Sequence, residues 1–274
     1  MSATHAEKAA KFYELHQRPG VFLIPNPWDT GSARILAQSG FESLATSSAA
    51  AANALGRRDG RMTRDEALAH ARAIVAATDL PVSADLENGF GDSPEVVAET
   101  IRMAAATGLA GASIEDASNG KESALYDINH AAERVAAAVE AARVLPFKFT
   151  LTARAENYVR GKPDLDDTIK RLLAYEKAGA DVLFAPGLPD LAAVRKVCSA
   201  VSRPVNFAVA IRGKAHSVAE LADAGVKRIS FAASLYRVAM SGFVEAVQEI
   251  KNKGTFTYLD RTMTTSEFNR FLPD

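Results

Sequence analysis

The sequence contains a single cysteine, Cys198, among 274 residues. One thiol can build neither a disulfide framework nor a thiolate metal cage. Leu191, Val194 and Val201 recur around Cys198 at helical spacing, which predicts a small core residue and not a nucleophile. Any chemistry is therefore expected from other side chains.

Long apolar runs and an excess of one charge are also absent. No segment reaches 18 consecutive apolar residues, and the first residues lack the apolar stretch of a signal peptide. The formal net charge is -1, from 32 basic and 33 acidic residues, which gives no field to attract nucleic acid or an anionic membrane. These absences predict a cytoplasmic protein whose partner is a small molecule.

Short apolar runs alternate with amphipathic stretches along the whole chain. Strands are predicted at 21–24, 43–46, 81–84, 111–114, 149–153, 182–185, 205–209 and 228–231, with helices between them and a long loop at 47–62. Unbroken Val, Ile, Leu and Ala strands predict a parallel sheet covered by helices. Their number, eight, favours a closed (β/α)8 barrel in a single domain, 1–274. The alternative is a doubly wound open sheet, which lacks support because no strand is followed by a Gly-x-Gly-x-x-Gly turn.

A C-terminal helical extension, 233–274, follows the eighth predicted strand. Its long helix is expected at about 233–252 and ends at Gly254. Thr264 and Glu267 then give the capping-box spacing of one more short helix. Apolar surface beyond the last strand needs a partner, and another subunit is a candidate.

Carboxylates follow two neighbouring predicted strands. Asp85 and Glu87 come after the third strand, and Glu115 and Asp116 after the fourth. Active sites of such barrels form at the carboxyl ends of the strands, so these acids are expected to converge. Oxygen ligands without a histidine pair or a usable cysteine are typical of Mg²⁺ or Mn²⁺ sites, and not of zinc or copper. Asp116 is expected to orient a loop or helix instead of binding metal.

Two interpretations stay open for the neighbouring charged groups. Arg154, after the fifth strand, could bind a carboxylate or phosphoryl group of the substrate in two-point fashion, or it could pair with Glu156 or Asp85. Asp85 and Glu87 could also be ordinary loop acids that cap the next helix. A metal on one side and an arginine on the other would suit a small anion such as a 2-keto acid.

Several short motifs recur in a familiar order, and together they span nearly the whole chain. They are Pro25-Asn-Pro-Trp-Asp29, Thr46-Ser-Ser-Ala49, Leu55-Gly-Arg-Arg-Asp59, Ala84-Asp-Leu-Glu-Asn-Gly-Phe-Gly91, Ile114-Glu-Asp116, Thr152-Ala-Arg-Ala-Glu-Asn157 and Leu235-Tyr-Arg237. This set resembles the isocitrate lyase/phosphoenolpyruvate mutase superfamily. The resemblance implies a (β/α)8 barrel and an enolate-like intermediate of a pyruvate-type unit.

The resemblance also implies roles for individual residues. Asp85, Glu87 and Glu115 would hold Mg²⁺, or Mn²⁺ as the alternative ion, largely through water. Arg154 would act in catalysis by binding the substrate carboxylate or phosphonate, and Asp59 would be the catalytic acid on a mobile gate loop. The substrate pocket would be lined by Trp28, Ser47, Ser48, Ala49, Asp85 and Arg154. Superfamily members typically exchange their last helix between paired subunits, which predicts a homodimer or homotetramer.

The loop after the fourth strand departs from the lyase pattern. It reads Ala117-Ser-Asn-Gly-Lys-Glu-Ser-Ala-Leu-Tyr126 and has no counterpart of the catalytic cysteine of isocitrate and methylisocitrate lyases, so those activities are not expected. Lys121 and Ser123 only partly match the gate of phosphonate-handling members. Ala185-Pro-Gly187 lacks the histidine that mutases would place there. The chain resembles a phosphonomutase-like subgroup without the catalytic cysteine.

The sequence therefore favours a magnesium-dependent lyase that cleaves a C–C bond adjacent to the carbonyl of an oxaloacetate-like 2-keto acid through a metal-stabilised enolate. One alternative is a phosphonopyruvate or phosphoenolpyruvate mutase or hydrolase. Another is a non-catalytic 2-keto-acid-binding protein. The proton donor is open among Tyr126, Lys121 and a metal-bound water.

Overall fold

The computed structural model describes residues 3–118 and 124–272. Eight strands lie close to their predicted positions and form one sheet: β1 (Phe22–Ile24), β2 (Leu44–Ala45), β3 (Val82–Asp85), β4 (Gly111–Glu115), β5 (Thr150–Arg154), β6 (Val182–Phe184), β7 (Val205–Ala208) and β8 (Arg228–Ser230). All the strand pairs are parallel, in the order β1-β8-β7-β6-β5-β4-β3-β2. The predicted parallel sheet is confirmed.

The two ends of this sheet, β1 and β2, lie side by side. The Ala45 N–H donates to the Pro25 carbonyl at 3.0 Å, and the Asn26 amide donates to the Thr46 carbonyl at 3.0 Å. These bonds bring the sheet to a nearly closed barrel. The (β/α)8 prediction is therefore confirmed over the open sheet.

Helices connect the strands and cover the outside of the barrel. They are α1 (His5–Gln17), α2 (Thr30–Gln38), α3 (Ser48–Ala54), α4 (Arg64–Ala76), α5 (Pro94–Ala105), α6 (Ile128–Arg143), α7 (Leu165–Lys177), α8 (Leu191–Ala200), α9 (Val218–Asp223), α10 (Ser234–Lys253) and α11 (Thr265–Asn269), with a 3₁₀ helix at Thr257–Arg261. The predicted cap at Thr264 is confirmed, and Thr63 and Ser93 cap α4 and α5 in the same way, because each side chain accepts from a first-turn N–H. The 47–62 loop prediction was wrong at its start, where α3 forms behind the N-cap Ser47.

The amino-terminal end of the barrel is closed by α1. Its Phe12 packs so closely on the start of β4 that a Cβ on Gly111 would lie 3.0 Å from the ring and 2.4 Å from the Thr150 carbonyl oxygen. Ala9, Leu15 and Phe22 complete this buried cluster. With this end covered, the carboxyl ends of the strands form the open mouth of the barrel.

The C-terminal extension begins with α10, which contains no buried residue among its 20. Its exposed apolar side chains include Phe243, Val247 and Ile250. The assignment of 1–274 to one domain with an extension at 233–274 stays a prediction. Within the described residues, no helix has the length and hydropathy needed to cross a membrane.

Candidate active site

A cavity of about 370 Å³ opens at the carboxyl ends of the strands. Four of the predicted site residues line it: Ser47, Asp59, Asp85 and Arg154. Polar side chains deeper in the barrel also contribute to the wall, namely Asn26, Thr46, Ser83, Ser113, Glu156, Arg160, Asn206, Arg228 and Ser230. The cavity thus combines these polar groups with apolar residues and lies at the end of the barrel where the sequence placed the site.

Asp85, the last residue of β3, is held from several directions. Its carboxylate accepts from the Ser48 N–H at 3.2 Å, from the Ser48 hydroxyl at 3.0 Å and from Arg154 Nη1 at 2.9 Å. The Glu87 N–H donates at 3.2 Å to Oδ1, the oxygen that also accepts from Arg154. Ser48 therefore contacts the site by hydrogen bonding to Asp85, although it does not form part of the cavity wall.

Arg154 pairs with three acids. Besides Asp85, its guanidinium contacts Glu156 at 2.8 Å and Glu115 at 3.2 Å. Burial opposes the charge of Arg154, but Glu156, Asp85 and Glu115 outweigh burial and hold its pKa well above the usual value. The ion-pair interpretation of Arg154 is therefore confirmed, and its use in binding substrate stays a prediction.

Glu115 is buried at the end of β4 and is shared by two arginines. Arg160 Nη2 lies 2.6 Å from one carboxylate oxygen, and Arg154 lies at 3.2 Å from the other. Burial, together with the negative charges of Glu156 and Asp85, raises the pKa of Glu115 well above its usual range. Protonation and cation binding are two ways to relieve this concentration of negative charge.

Glu87 lies in a backbone loop of unusual conformation. Its φ is 49°, and Phe90 has a φ of 61°, both in the left-handed region that L-residues seldom adopt. Arg134, on α6, holds this loop: its guanidinium donates to the carbonyls of Asn88 and Gly91 and, at 3.1 Å, to that of Glu115. The same side chain thus fixes the backbone after β3 relative to the end of β4.

Asp59 reaches the cavity from the segment between α3 and α4. The residue is exposed overall, yet burial of its carboxyl over the mouth and the charge of Asp85 raise its pKa. Gly56 and Gly60, with φ of 71° and 72°, flank this segment. Glycine adopts that conformation without strain.

Trp28, Ala49, Glu87 and Glu115 are predicted site residues that do not line this cavity. The Trp28 ring instead packs edge-on against Tyr236, with centroids 5.6 Å apart, and its carbonyl bonds to His70 at 2.9 Å. Ala49 is within the first turn of α3. Glu87 borders a separate surface depression with Asn88 and Phe90.

Acidic groups outnumber basic ones around the mouth. Within the described residues, three guanidiniums, of Arg154, Arg160 and Arg228, lie at the cavity with four carboxylates, those of Asp59, Asp85 and Glu156 in its wall and that of Glu115 beside it. No group of three or more His, Cys, Asp or Glu in the described part of the chain is arranged to ligate a metal directly. An excess of oxygen donors without such a cluster fits Mg²⁺ bound mainly through its own waters.

The proposed proton donors differ in their placement. Lys121 and Ser123 lie outside the described residues. The Tyr126 hydroxyl donates to Asp92 at 2.5 Å and accepts from Asn88 at 2.9 Å. Burial and the Asp92 hydrogen bond raise the pKa of Tyr126 to about 12. Tyr126 is outside the cavity wall.

Asp116 and Cys198 behave as the sequence predicted. Asp116 is buried and accepts from the Glu156 N–H at 2.8 Å, from Arg171 at 3.0 Å and from the Tyr175 hydroxyl at 2.5 Å. It orients the residues after β5, and its structural role is confirmed. Burial raises the pKa of Cys198 to about 11, which keeps the thiol protonated.

The floor of the cavity contains a buried arginine, Arg228. Its Nε donates to Asn206 at 2.8 Å, and Nη1 lies 3.4 Å from His16 Nε2. His16 Nδ1 in turn donates to the Phe12 carbonyl at 2.8 Å. Burial lowers the pKa of Arg228 to about 9, while burial and the charge of Arg228 lower that of His16 to about 3. His16 is therefore neutral at pH 7.

Sequence reasoning missed the parts that Arg160 and Arg134 play. Arg160 lies six residues after Arg154 and returns to the same acids because the chain turns after β5. The segment that contains Arg160 is neither helix nor strand, so its sequence shows no periodic pattern from which the position of the side chain could be predicted. Arg134 works through backbone carbonyls, which every sequence supplies alike, so no residue pattern identified its partners.

Comparisons with known proteins show which family the chain resembles. The family model described as phosphoenolpyruvate phosphomutase matches residues 12–251. A Corynebacterium glutamicum protein named "probable 2-methylisocitrate lyase 2" is 32% identical over 93% of this chain and 84% of its own. The 2,3-dimethylmalate lyase of Eubacterium barkeri is 28% identical over 95% of this chain and 92% of its own. A crystal structure from Burkholderia cenocepacia J2315, described only as a lyase/mutase, is 51% identical and superposes with a TM-score of 0.96 over 98% of this chain and 97% of that one.

Proposed function

Because the chain belongs to the phosphoenolpyruvate phosphomutase family and is a lyase/mutase-type enzyme of the isocitrate lyase/phosphoenolpyruvate mutase superfamily, we propose that it is a magnesium-dependent lyase. The bond cleaved is a C–C bond on the carbon next to the carbonyl of a small 2-keto acid, and in oxaloacetate, the simplest example, it is the C3–C4 bond. This membership leaves the non-catalytic binding protein without support.

One observation carries the proposal: Arg154, which lines the cavity together with Asp85, is paired with Asp85 and with the buried Glu115 beside the cavity wall. Asp85, Glu87 and Glu115 would hold Mg²⁺, chiefly through its water shell. When bound there, the ion supplies positive charge to the carbonyl oxygen on which negative charge develops during cleavage. The acids therefore serve the keto end of the substrate.

Arg154 would hold the substrate carboxylate. In the structure its Nη1 donates to Asp85, which is also one of the acids assigned to the cation. Once Asp85 serves the cation, Nη1 can donate to the substrate, and the planar guanidinium can form the paired contacts that carboxylates accept. The hydrogen bonds from Arg154 Nε and Nη2 to Glu156 would remain and keep the guanidinium oriented.

Asp59 would cover the bound substrate. Its segment is flanked by Gly56 and Gly60, and Arg57 is tied to Glu66 at 2.7 Å. A covering segment excludes water, which strengthens the electrostatic contacts of the cavity and protects the enolate. Ser47, the N-cap of α3, would line the substrate cavity, and Ser48 would act there through its bonds to Asp85. Contacts of Trp28 and Ala49 with the substrate stay a prediction.

The match to the phosphoenolpyruvate phosphomutase family supports one alternative function, the rearrangement or hydrolysis of phosphonopyruvate. The end of β6 favours C–C chemistry, because Pro186 and Gly187 form this part of the wall. A phosphoryl group would be better matched there by a cationic or hydrogen-bonding side chain.

We also propose that the protein forms a homodimer or homotetramer in which α10 and the following residues pack on another subunit. The support is the apolar surface of α10 and of the tail, where Phe256, Leu259, Met263 and Phe268 are exposed. A monomer rarely leaves so much contiguous apolar surface in water.

The test is a turnover assay with purified protein, Mg²⁺ and separate solutions of oxaloacetate, phosphonopyruvate and alkyl-malates. We expect a 2-keto acid product above the uncatalysed rate, lost with a chelator and restored by Mg²⁺. Asp85→Asn should raise the Mg²⁺ concentration for half-maximal rate at least tenfold, whereas the exposed-site control Asp223→Asn should not. Release of phosphate or phosphoenolpyruvate only from phosphonopyruvate would establish the alternative, and turnover of none of these compounds would refute the proposal.

A further inference from the structure

The rim of the cavity has two chemically different sides. After β3 and β5 it carries Asp85 and Arg154, whereas after β6, β7 and β8 its wall is formed by Pro186, Gly187, Ala210, Ile211 and Ala232. β7 is four strands from β3 in either direction around the barrel. Ile211, after β7, therefore lies across the mouth from Asp85.

Two large apolar side chains remain exposed here, Ile211 on this second side and Val159 in the segment after β5 that packs against it. Val159 is 47% exposed and Ile211 is 44% exposed, and both line the cavity. Val159 is fixed against the turn after β6, because a Cβ on Gly187 would lie 3.0 Å from its Cγ1. Apolar side chains held at the mouth of a polar cavity offer surface that a ligand can remove from water.

Phe184 marks the boundary between the two sides. Its ring centroid lies 5.3 Å from Arg154 Cζ, while its backbone leads directly to Pro186 and Gly187. A carboxylate held by Arg154 would therefore have an aromatic ring beside it. The adjoining rim would then meet the part of the same molecule that is farther from the carboxylate.

We propose that the apolar rim, formed by Val159, Pro186, Gly187, Ala210 and Ile211, binds an alkyl or aryl substituent of the substrate. This inference rests on the proposed function. The substrate is then an oxaloacetate-type acid with an apolar group on C3, and the charged side of the cavity holds its carboxylate and keto oxygens. Such division between an apolar wall and a few placed polar groups is usual in small-molecule sites.

The reaction balances without participation of the substituent. The C3–C4 bond breaks, and its electron pair forms the C2–C3 double bond of the enolate as negative charge moves to the carbonyl oxygen. C4 leaves as carbon dioxide, and C3 then takes up one proton to give a C3-substituted pyruvate. The substituent acts only through burial, for which each methylene changes kcat/KM about fourfold (~0.8 kcal/mol).

The experiment compares oxaloacetate with its 3-methyl, 3-ethyl and 3-propyl derivatives at a fixed Mg²⁺ concentration, with the uncatalysed rate subtracted. We expect kcat/KM to rise about fourfold per carbon over at least two steps. A flat or falling series with clear turnover of oxaloacetate would overturn the inference and leave the proposed function standing. Turnover of no compound would overturn both.

Variants locate the effect in the rim. Val159→Thr and Ile211→Thr each replace an apolar group by a hydroxyl, and we expect the 3-ethyl to oxaloacetate ratio of kcat/KM to fall at least threefold. The ratio cancels any general loss of activity. Val144→Thr, at a 77% exposed valine outside the cavity, is the matched control and should keep the wild-type ratio. Unchanged ratios in both rim variants would contradict the proposal.

Discussion

Arg154 of β5 donates to Asp85 of β3 at 2.9 Å, so the side chains of two strands meet above the strand between them. That strand, β4, contributes Glu115 to the same guanidinium. Three consecutive strands thus share one buried charge cluster. Removing Arg154 takes away the guanidinium that pairs with Asp85, although Arg160 still pairs with Glu115 and Glu156, and removing one acid alters the orientation of Arg154.

We expect Arg154→Lys to lower kcat/KM by about 100-fold or more, because a lysine keeps the charge but cannot make paired contacts with a carboxylate. Steady-state kinetics measures the loss, and circular dichroism checks that the fold is retained. Arg195→Lys, at an exposed position on α8, is the control. Wild-type kinetics in Arg154→Lys would remove Arg154 from the proposed mechanism.

Arg134 should matter for stability. Arg134→Lys retains a cation but loses several of the hydrogen bonds to the carbonyls of Asn88, Gly91 and Glu115. The free energy of unfolding should drop by about 1–3 kcal/mol, as expected when buried acceptors lose a charged donor. Urea unfolding provides the measurement. The control Arg102→Lys, at an exposed position, should change the free energy of unfolding by less than ~0.5 kcal/mol. Equal effects at the two sites would argue against a stabilising role of the Arg134 hydrogen bonds.

His16 should make stability depend on pH. Its folded pKa is about 3, below the ordinary value of 6.5, so the unfolded chain binds a proton that the folded chain does not. The associated stability is fully present above pH 6.5 and is lost as pH falls toward 3. Within that window we expect a loss of up to about 1.4 kcal/mol per pH unit. His16→Gln, which stays neutral, should have a shallower slope in urea titrations at pH 7, 6, 5 and 4; parallel slopes would exclude this origin.

The apolar face of α10 should govern oligomeric state. Phe243→Lys places a charge on surface that we assign to a subunit contact, and we expect the oligomer to dissociate at micromolar concentration. Light scattering after size exclusion reports the mass. Gln248→Lys, exposed on the same helix, is the control. A monomeric wild-type protein would refute the assignment outright.

The strands could be predicted from sequence because each one is an apolar run between turn signals. Val82–Asp85 and Val205–Ala208 follow proline and end on residues of the cavity wall or next to it. In contrast, α3 was missed, since Ser48–Ala54 is almost all alanine and has no polar face to show a helical period. Its one signal was the serine at position 47, a favoured N-cap residue.

The site was predicted in type more fully than in arrangement. Strand ends correctly brought Asp85, Glu115 and Arg154 together, because parallel strands share one carboxyl edge. The displacement of Trp28 from the cavity wall follows from its packing on Tyr236, more than 200 residues away. A contact between such distant positions is decided by tertiary packing, which neither residue signals alone.

The junction of β1 and β2 gives the barrel a preferred place to open. At this junction a single backbone hydrogen bond, from the Ala45 N–H to the Pro25 carbonyl, joins the two strands. By comparison, the ladder between β4 and β5 is longer and runs from the Gly111–Thr150 pair to the Glu115–Arg154 pair. Backbone protected by fewer bonds exchanges its amide hydrogens through smaller local openings. The Ala45 amide should therefore take up deuterium earlier than that of Thr150, which donates to the Ala110 carbonyl at 3.1 Å at the start of that ladder. Since Thr46 and Ser47 follow directly and line the cavity, local opening at this junction would displace one part of the cavity wall.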